Sequence, residues 1–124
     1  MRKGVIVCGA NGERGLMLER AVVKFGPRNT GKMLQFSICT VATAPIMISM
    51  SGVDMDQLVT VNGCKNRCCD KILERSGMKI ARSVVLDDAT DRKLGPCQFT
   101  SDWNFPDIKE EEIEKMAKLM EDAL

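Results

Sequence analysis

The cysteines are the residues of this sequence best suited to chemistry. Cys64 and Cys68 stand just beyond the apolar run L-V-T-V, and Cys8 and Cys39 end two similar runs, V-I-V-C and F-S-I-C. A thiolate binds metals and attacks electrophiles, and a helix N-terminus nearby favours that ionised form. Four thiolates suit tetrahedral zinc. We therefore predict a shared zinc site built from Cys8, Cys39, Cys64 and Cys68.

The other two cysteines, Cys69 and Cys97, are interpreted as small buried side chains, since free cysteine is among the most buried residue types. The chain contains no histidine. Ser–His and Cys–His catalysis are therefore excluded within this chain, and a transition-metal site has to rely on sulfur, with carboxylate as the other available donor.

A second interpretation starts from the C-x5-R loop between Cys8 and Arg14. Low-molecular-weight tyrosine phosphatases and arsenate reductases look like this at the same place in a similar fold. That resemblance implies attack by Cys8 on an oxyanion held by Arg14 and main-chain N–H groups, with Cys64 and Cys68 as resolving thiols. Gly15 stands where those enzymes have a hydroxyl residue. The residues leave open whether the thiol site catalyses, carries a metal or braces the fold.

Hydropathy patterns predict the elements that position these thiols. Parallel strands buried on both faces are nearly continuous apolar runs, whereas surface helices show apolar residues at helical spacing. These patterns predict strands over 3–8, 33–39, 58–61 and 81–86 and helices over 13–25, about 43–52, 65–75 and from Asp107, with Gly26-Pro27 ending the first helix. We expect a three-layer Rossmann-like α/β domain with a mainly parallel sheet of about four strands. Its crevice would lie beyond the carboxyl ends of the strands, where Cys8, Cys39 and Cys64 stand.

The composition of the chain bears on its domain number, its partners and its location. The apolar content of 44% suits one domain over residues 1–124. A net charge of +1 and the absence of tyrosine do not indicate a nucleic-acid-binding surface. Residues 33–53 carry no charge, but their many polar groups and Pro45 argue against a membrane span. No signal peptide fits the N-terminus, so we expect a cytoplasmic protein with reduced cysteines. Its protein partner or small-molecule substrate stays undefined.

Three stretches carry a resemblance to a known family. They are V-I-V-C-G, K-M-L-Q-F-S-I-C and the run from Asp56 to Gly77 with N-G-C-x-x-x-C at its centre. Together they resemble the DGC-domain family of zinc-binding proteins, over residues 4 to about 88 with gaps. The resemblance implies an α/β domain with a cysteine-based metal site of undefined biochemical role.

The resemblance also implies the ligands. The positions that match the family's cysteines are Cys8, Cys39, Cys64 and Cys68. Two positions depart from the family pattern. Asn62 replaces the aspartate of the D-G-C triplet, which removes a charge and a ligand atom, and Asn11 stands where many relatives have a second early cysteine.

Overall fold

The computed structural model describes residues 1–124, in which strands alternate with helices. The strands are β1 (Lys3–Val7), β2 (Met33–Ser37), β3 (Leu58–Asn62) and β4 (Ile80–Val85). The helices are α1 (Gly12–Arg28), α2 (Ile38–Thr43), α3 (Ile46–Met50), α4 (Cys68–Arg75) and α5 (Glu110–Asp122), with a 3₁₀ turn at Leu86–Ala89. The predicted α/β alternation is confirmed.

The four strands form one parallel sheet in the order β2-β1-β3-β4. Val7 at the end of β1 is in register with Ser37 of β2 and Val61 of β3. The central strand β3 is buried at every position, as expected of a parallel strand covered on both faces. The Rossmann-like sheet predicted from the sequence is therefore confirmed, with all of its strands parallel.

Helices cover both faces of the sheet and make three layers. On one face, Val5, Val59 and Val61 pack with residues of α1 and α5 in the larger apolar cluster. On the other face, Ile6 and Leu58 pack with residues of α2, α3 and α4 in the smaller one. The alternation of Val5 and Ile6 between the two clusters follows from the two-residue period of a strand.

The strand order creates a crevice between β1 and β3. The chain leaves β1 toward β2 through α1 on one face, then crosses to β3 through α2 and α3 on the other. Connections that depart in opposite directions from adjacent strands leave a gap beyond their carboxyl ends, where open α/β sheets bind ligands. Cys8 and Cys64 follow the two strands that border this gap.

The first helix does not stop at Gly26-Pro27, so that prediction is wrong. It continues to Arg28, with Pro27 inside its last turn. The missing proline N–H costs one hydrogen bond there. Asn29 closes the last turn, because its side-chain Nδ2 donates to the Phe25 carbonyl at 2.8 Å and its backbone N–H donates to the Gly26 carbonyl at 3.1 Å.

The second strand also ends earlier than predicted. It stops at Ser37, in register with the last residue of β1, and the chain turns directly into α2. Cys39 therefore lies in the first turn of a helix rather than at a strand end. The uncharged stretch 33–53 forms β2 and two short helices. None of the helices is both long and apolar enough to cross a bilayer.

Two helix starts shift by three residues. Arg67 adopts a left-handed backbone conformation with φ of 51°, which interrupts the run predicted to be helical from Lys65, and α4 starts at Cys68. The last helix starts at Glu110, not at Asp107. Its N-terminus is closed by Glu112, whose side chain accepts a hydrogen bond from the backbone N–H of Lys109 at 2.9 Å.

Candidate metal centre

Cys8 is the first residue beyond β1 and lies half-buried at the crevice. Its backbone N–H donates to the Val61 carbonyl of β3 at 2.9 Å, which extends the strand pairing by one step. The backbone N–H of Gly63 acts on its sulfur and tends to lower the pKa of the thiol. The thiol therefore points toward the loop that carries Cys64.

The glycine of N-G-C brings the two loops together. A Cβ atom at Gly63 would overlap the Ala10 side chain and crowd the Leu18 methyl group. Only glycine permits the backbone after β3 to lie this close to the loop after β1. Cys64, which follows directly, is half-buried at the same edge.

Cys68 and Cys69 occupy the first turn of α4 but face different surroundings. Cys69 is fully buried, its thiol donates to the Ile6 carbonyl at 3.5 Å, and burial raises its pKa to about 12. The interpretation of Cys69 as a core side chain is confirmed. Cys68 is exposed, and its sulfur accepts a hydrogen bond from Nδ2 of Asn66 at 2.9 Å.

Cys39 and Cys97 are placed differently from what their sequence context suggested. Cys39 is exposed on α2 and lines an open cavity of about 550 Å³ with Met47 and Met50 of α3. Cys97 lies in the connecting segment 90–109 and is half-buried, outside both apolar clusters. The interpretation of Cys97 as a buried side chain is therefore wrong.

The thiols around Cys8 act on one another electrostatically. Burial is the main cause that raises the pKa of the Cys8 thiol, and thiolate charge at Cys97, Cys68 and Cys64 raises it further. The Gly63 N–H offsets part of this rise. Neutral Cys8 is thus the favoured form near pH 7, and a metal ion that binds its sulfur has to displace a proton.

These thiols suit zinc in chemical class, since thiolate is a preferred zinc ligand. The structure does not assemble them fully. No group of three or more Cys, Asp or Glu side chains lies close enough together to hold a metal ion. Metal binding therefore requires movement of side chains or loops at this edge, where Cys68 is exposed and Cys64 lies in a turn.

Arg14 is buried and joins three loops beside the crevice. Its Nε donates to the Gly95 carbonyl at 2.7 Å, its Nη1 to the Gly63 carbonyl at 2.8 Å, and its guanidinium pairs with Asp87 at 2.6 Å. These contacts, with a bond from Nη2 to Asp87, occupy most of the guanidinium N–H groups that the phosphatase-like interpretation assigns to an oxyanion. The Gly12 N–H of the same loop is likewise bonded, to the Asn11 side chain at 2.9 Å.

A comparison with protein families adds an independent finding. The family model of the DGC domain matches residues 4–120. The chain belongs to the DGC-domain family. The match covers nearly the whole chain and so includes the connecting segment 90–109 and most of α5. Searches of curated proteins and of solved structures each gave no match.

A buried polar network supports the cysteine helix of this DGC-domain chain. Asp70 of α4 accepts hydrogen bonds from Asn62 at 3.0 Å, from Ser83 at 2.8 Å and from the Thr60 hydroxyl. Burial opposes ionisation of Asp70, but these donors and the charge of Arg67 outweigh it and lower the pKa of the carboxyl. The network fixes the start of α4, and therefore Cys68, against β3 and β4.

Asn62 has a specific role in this network. It stands at the aspartate position of D-G-C in this DGC-domain chain and is fully buried, with Oδ1 unpartnered. Its Nδ2 donates to Asp70, Ser83 and the Val84 carbonyl. An aspartate here would place two carboxylates within hydrogen-bond distance, so the amide suits Asp70.

Sequence reasoning missed the role of Arg14 in joining the loops and the network around Asp70. Cys97 lies in a segment without periodicity, so no pattern indicates its neighbours. The Arg14 contacts join residues 49, 73 and 81 positions apart, a range that no local motif encodes. The glycine of N-G-C was the one available signal, because an obligatory glycine indicates close approach of another backbone.

Proposed function

We propose that this DGC-domain protein binds zinc through cysteine thiolates at the crevice between β1 and β3. Of the four predicted ligands, Cys8, Cys64 and Cys68 are the central ones. Cys39 lies just beyond β2, at the same edge of the sheet. The observation that supports this best is the position of Cys8 and Cys64 at the gap between two adjacent parallel strands, held together by the close approach of Gly63 to Ala10.

The surroundings of Cys8 affect cation binding in two opposite ways. Cys8 keeps its proton near neutral pH because burial raises the pKa of its thiol, so zinc binding releases a proton at this position. The Gly63 N–H lies against the Cys8 sulfur and stabilises its thiolate. When bound, zinc supplies a Lewis-acidic centre or a structural cross-link. The protein's contribution is to deliver sulfur ligands from separate loops.

Elemental analysis of protein purified without oxygen tests the proposal. We expect about one zinc per chain in the wild type and a strong loss in Cys64→Ser. Cys69→Ala is the matched control, because it removes a neighbouring thiol that packs in the core, and it should keep its zinc. Wild-type protein without zinc, or Cys64→Ser with undiminished zinc, would contradict the proposal.

A further inference from the structure

We propose that the uncharged face formed by β2, α2 and α3 is a dimer interface, on which a second copy of this chain docks with its own β2 antiparallel to the first. The two sheets then form one continuous sheet across a two-fold axis, and apolar side chains that the single chain exposes on α3 become covered. This proposal does not depend on the zinc site.

The first argument is that the two edges of the sheet differ in charge. β2 pairs with β1 on one side and with no strand on the other, and its sequence, M-L-Q-F-S, carries no charge. The opposite edge strand, β4, contains the exposed Arg82 and directly follows Lys79. Charged side chains are a common means by which proteins keep strand edges from pairing with other chains. β4 has this protection and β2 lacks it, so β2 is the edge open to another strand.

The second argument is the apolar surface beside this open edge. Ile46, Met47 and Met50 of α3 are 64%, 56% and 76% exposed. Met47 and Met50 line an open cavity of about 550 Å³ that reaches Phe36 of β2. The apolar surface is therefore continuous with the strand edge, since Phe36 belongs to both. Contiguous exposed apolar surface is typical of protein–protein interfaces.

The absence of charge identifies a second copy as the occupant. In a two-fold interface the same patch lies on both sides, so a charged group near the axis faces its own copy. Residues 33–53 contain no charged residue, in a chain of which 28% is charged. This face meets no like charge when it docks on itself, and it offers no ion pair by which a charged partner could be selected.

The middle residue of β2 is the most sensitive position for a test. When all five residues of Met33–Ser37 pair antiparallel with their own copy, Gln35 lies beside the two-fold axis and opposite the partner's Gln35. Like charges directly opposite each other destabilise a strand pair. Gln35 is exposed in the single chain, so a lysine there should disturb the dimer and not the core.

Sedimentation equilibrium over a range of protein concentrations measures dimerisation. We expect the wild type to form dimers and both Gln35→Lys and Met50→Lys to weaken dimerisation by more than about tenfold, because each variant brings uncompensated charge into the interface. Gln35→Thr, which stays uncharged, should dimerise as the wild type does. Val23→Lys is the matched control, since Val23 is 67% exposed but lies on α1 beside α5, and it should also dimerise normally.

Two outcomes of this experiment would overturn the proposal. Dimers of Gln35→Lys and Met50→Lys as tight as those of the wild type would place the interface elsewhere on the molecule. Wild-type protein that stays monomeric at its highest soluble concentration would leave this face to a different partner.

A second measurement uses only the wild type and so does not depend on the folding of a variant. Cys39 lines the cavity of the proposed interface, whereas Cys68 is exposed at the start of α4, outside that face. The protein is alkylated with excess iodoacetamide in the presence of a chelator, so that metal shields neither thiol. We expect alkylation of Cys39, but not of Cys68, to slow as protein concentration rises. A Cys39 rate that is independent of concentration would overturn the proposal.

Discussion

At the scale of single residues, the candidate site depends on small or neutral side chains that let other groups come close. Gly63 permits contact with Ala10, and Asn62 supplies a hydrogen-bond donor to Asp70. Asn62 and Gly63 therefore act by hydrogen bonding and geometry, whereas Cys64 is a proposed metal ligand.

Gly63→Ala tests the close approach of the two loops. The added methyl group would overlap Ala10, and overpacking of this kind costs about 1–3 kcal/mol. We expect a fall of that size in the unfolding free energy measured with urea. Gly31→Ala is the control, because a Cβ atom added there would meet nothing within 4 Å, and it should unfold as the wild type does. Equal stabilities in the two variants would contradict the packing argument.

Asn62→Asp tests the match between residues 62 and 70. Two buried carboxylates would face each other, and we expect a loss of about 3 kcal/mol at pH 7, as for other uncompensated buried charges. The double variant Asn62→Asp/Asp70→Asn restores one acid and one amide and should recover part of that loss. Urea unfolding of the three proteins measures this. A single variant as stable as the wild type would contradict the argument.

At the scale of elements, ion pairs attach α5 to the rest of the molecule. Glu112 is buried in the first turn of α5 and accepts hydrogen bonds from Arg92 at 2.9 Å and from Thr90. Arg92 also reaches Glu13 of α1 at 3.1 Å. Burial opposes ionisation of Glu112, but Arg92, Thr90 and the Lys109 N–H outweigh it and lower its pKa from 4.5 to about 2.

This shift predicts how stability depends on pH. A carboxyl whose pKa is lower in the folded state stabilises the fold above its unfolded pKa, and the effect disappears as pH falls through the folded pKa. The Glu112 contribution should therefore be complete above about pH 4.5 and decline toward pH 2. Glu112→Gln should lose about 2 kcal/mol at pH 7 and show a shallower decline in urea unfolding between pH 5 and 2.5. The exposed neighbour Glu111→Gln is the control, and the same shallow decline there would contradict the assignment.

The elements also show what the sequence could predict. Apolar runs identified all four strands, and alternation with helices placed Cys8 and Cys64 at one edge. Local sequence patterns failed to predict the ends of elements that tertiary contacts determine. Asn29 sustains α1 past Gly26-Pro27, and the early end of β2 places Cys39 in a helix. The prediction for Cys97 failed because distant contacts, of Gly95 with Arg14 and of Thr100 with Gly12, determine where its segment lies.

At the scale of the whole molecule, Arg14 and its partner Asp87 connect the start of α1 with the segments that follow β3 and β4. The Arg14 side chain is 9% exposed and the Asp87 side chain 18%. Arg28 and Glu114 form a comparable pair between α1 and α5 with side chains 43% and 47% exposed. The two pairs therefore offer a direct comparison of a buried with an exposed connection.

Arg14→Ala should lower the unfolding free energy by about 3–5 kcal/mol, because it leaves a carboxylate and two carbonyls at the crevice without partners. Arg28→Ala should lose far less, since solvent screens exposed ion pairs. Urea unfolding at equal pH and salt compares them. Equal losses of unfolding free energy in the two variants would contradict a larger stabilising role for Arg14 than for an exposed ion pair.

X-ray absorption at the zinc edge of the purified wild-type protein tests the central claim most directly, because it reports the atoms bound to the metal. We expect a shell of four sulfur atoms at about 2.3 Å. A shell dominated by oxygen would contradict it, since the chain has no histidine and the proposed ligands are all thiolates.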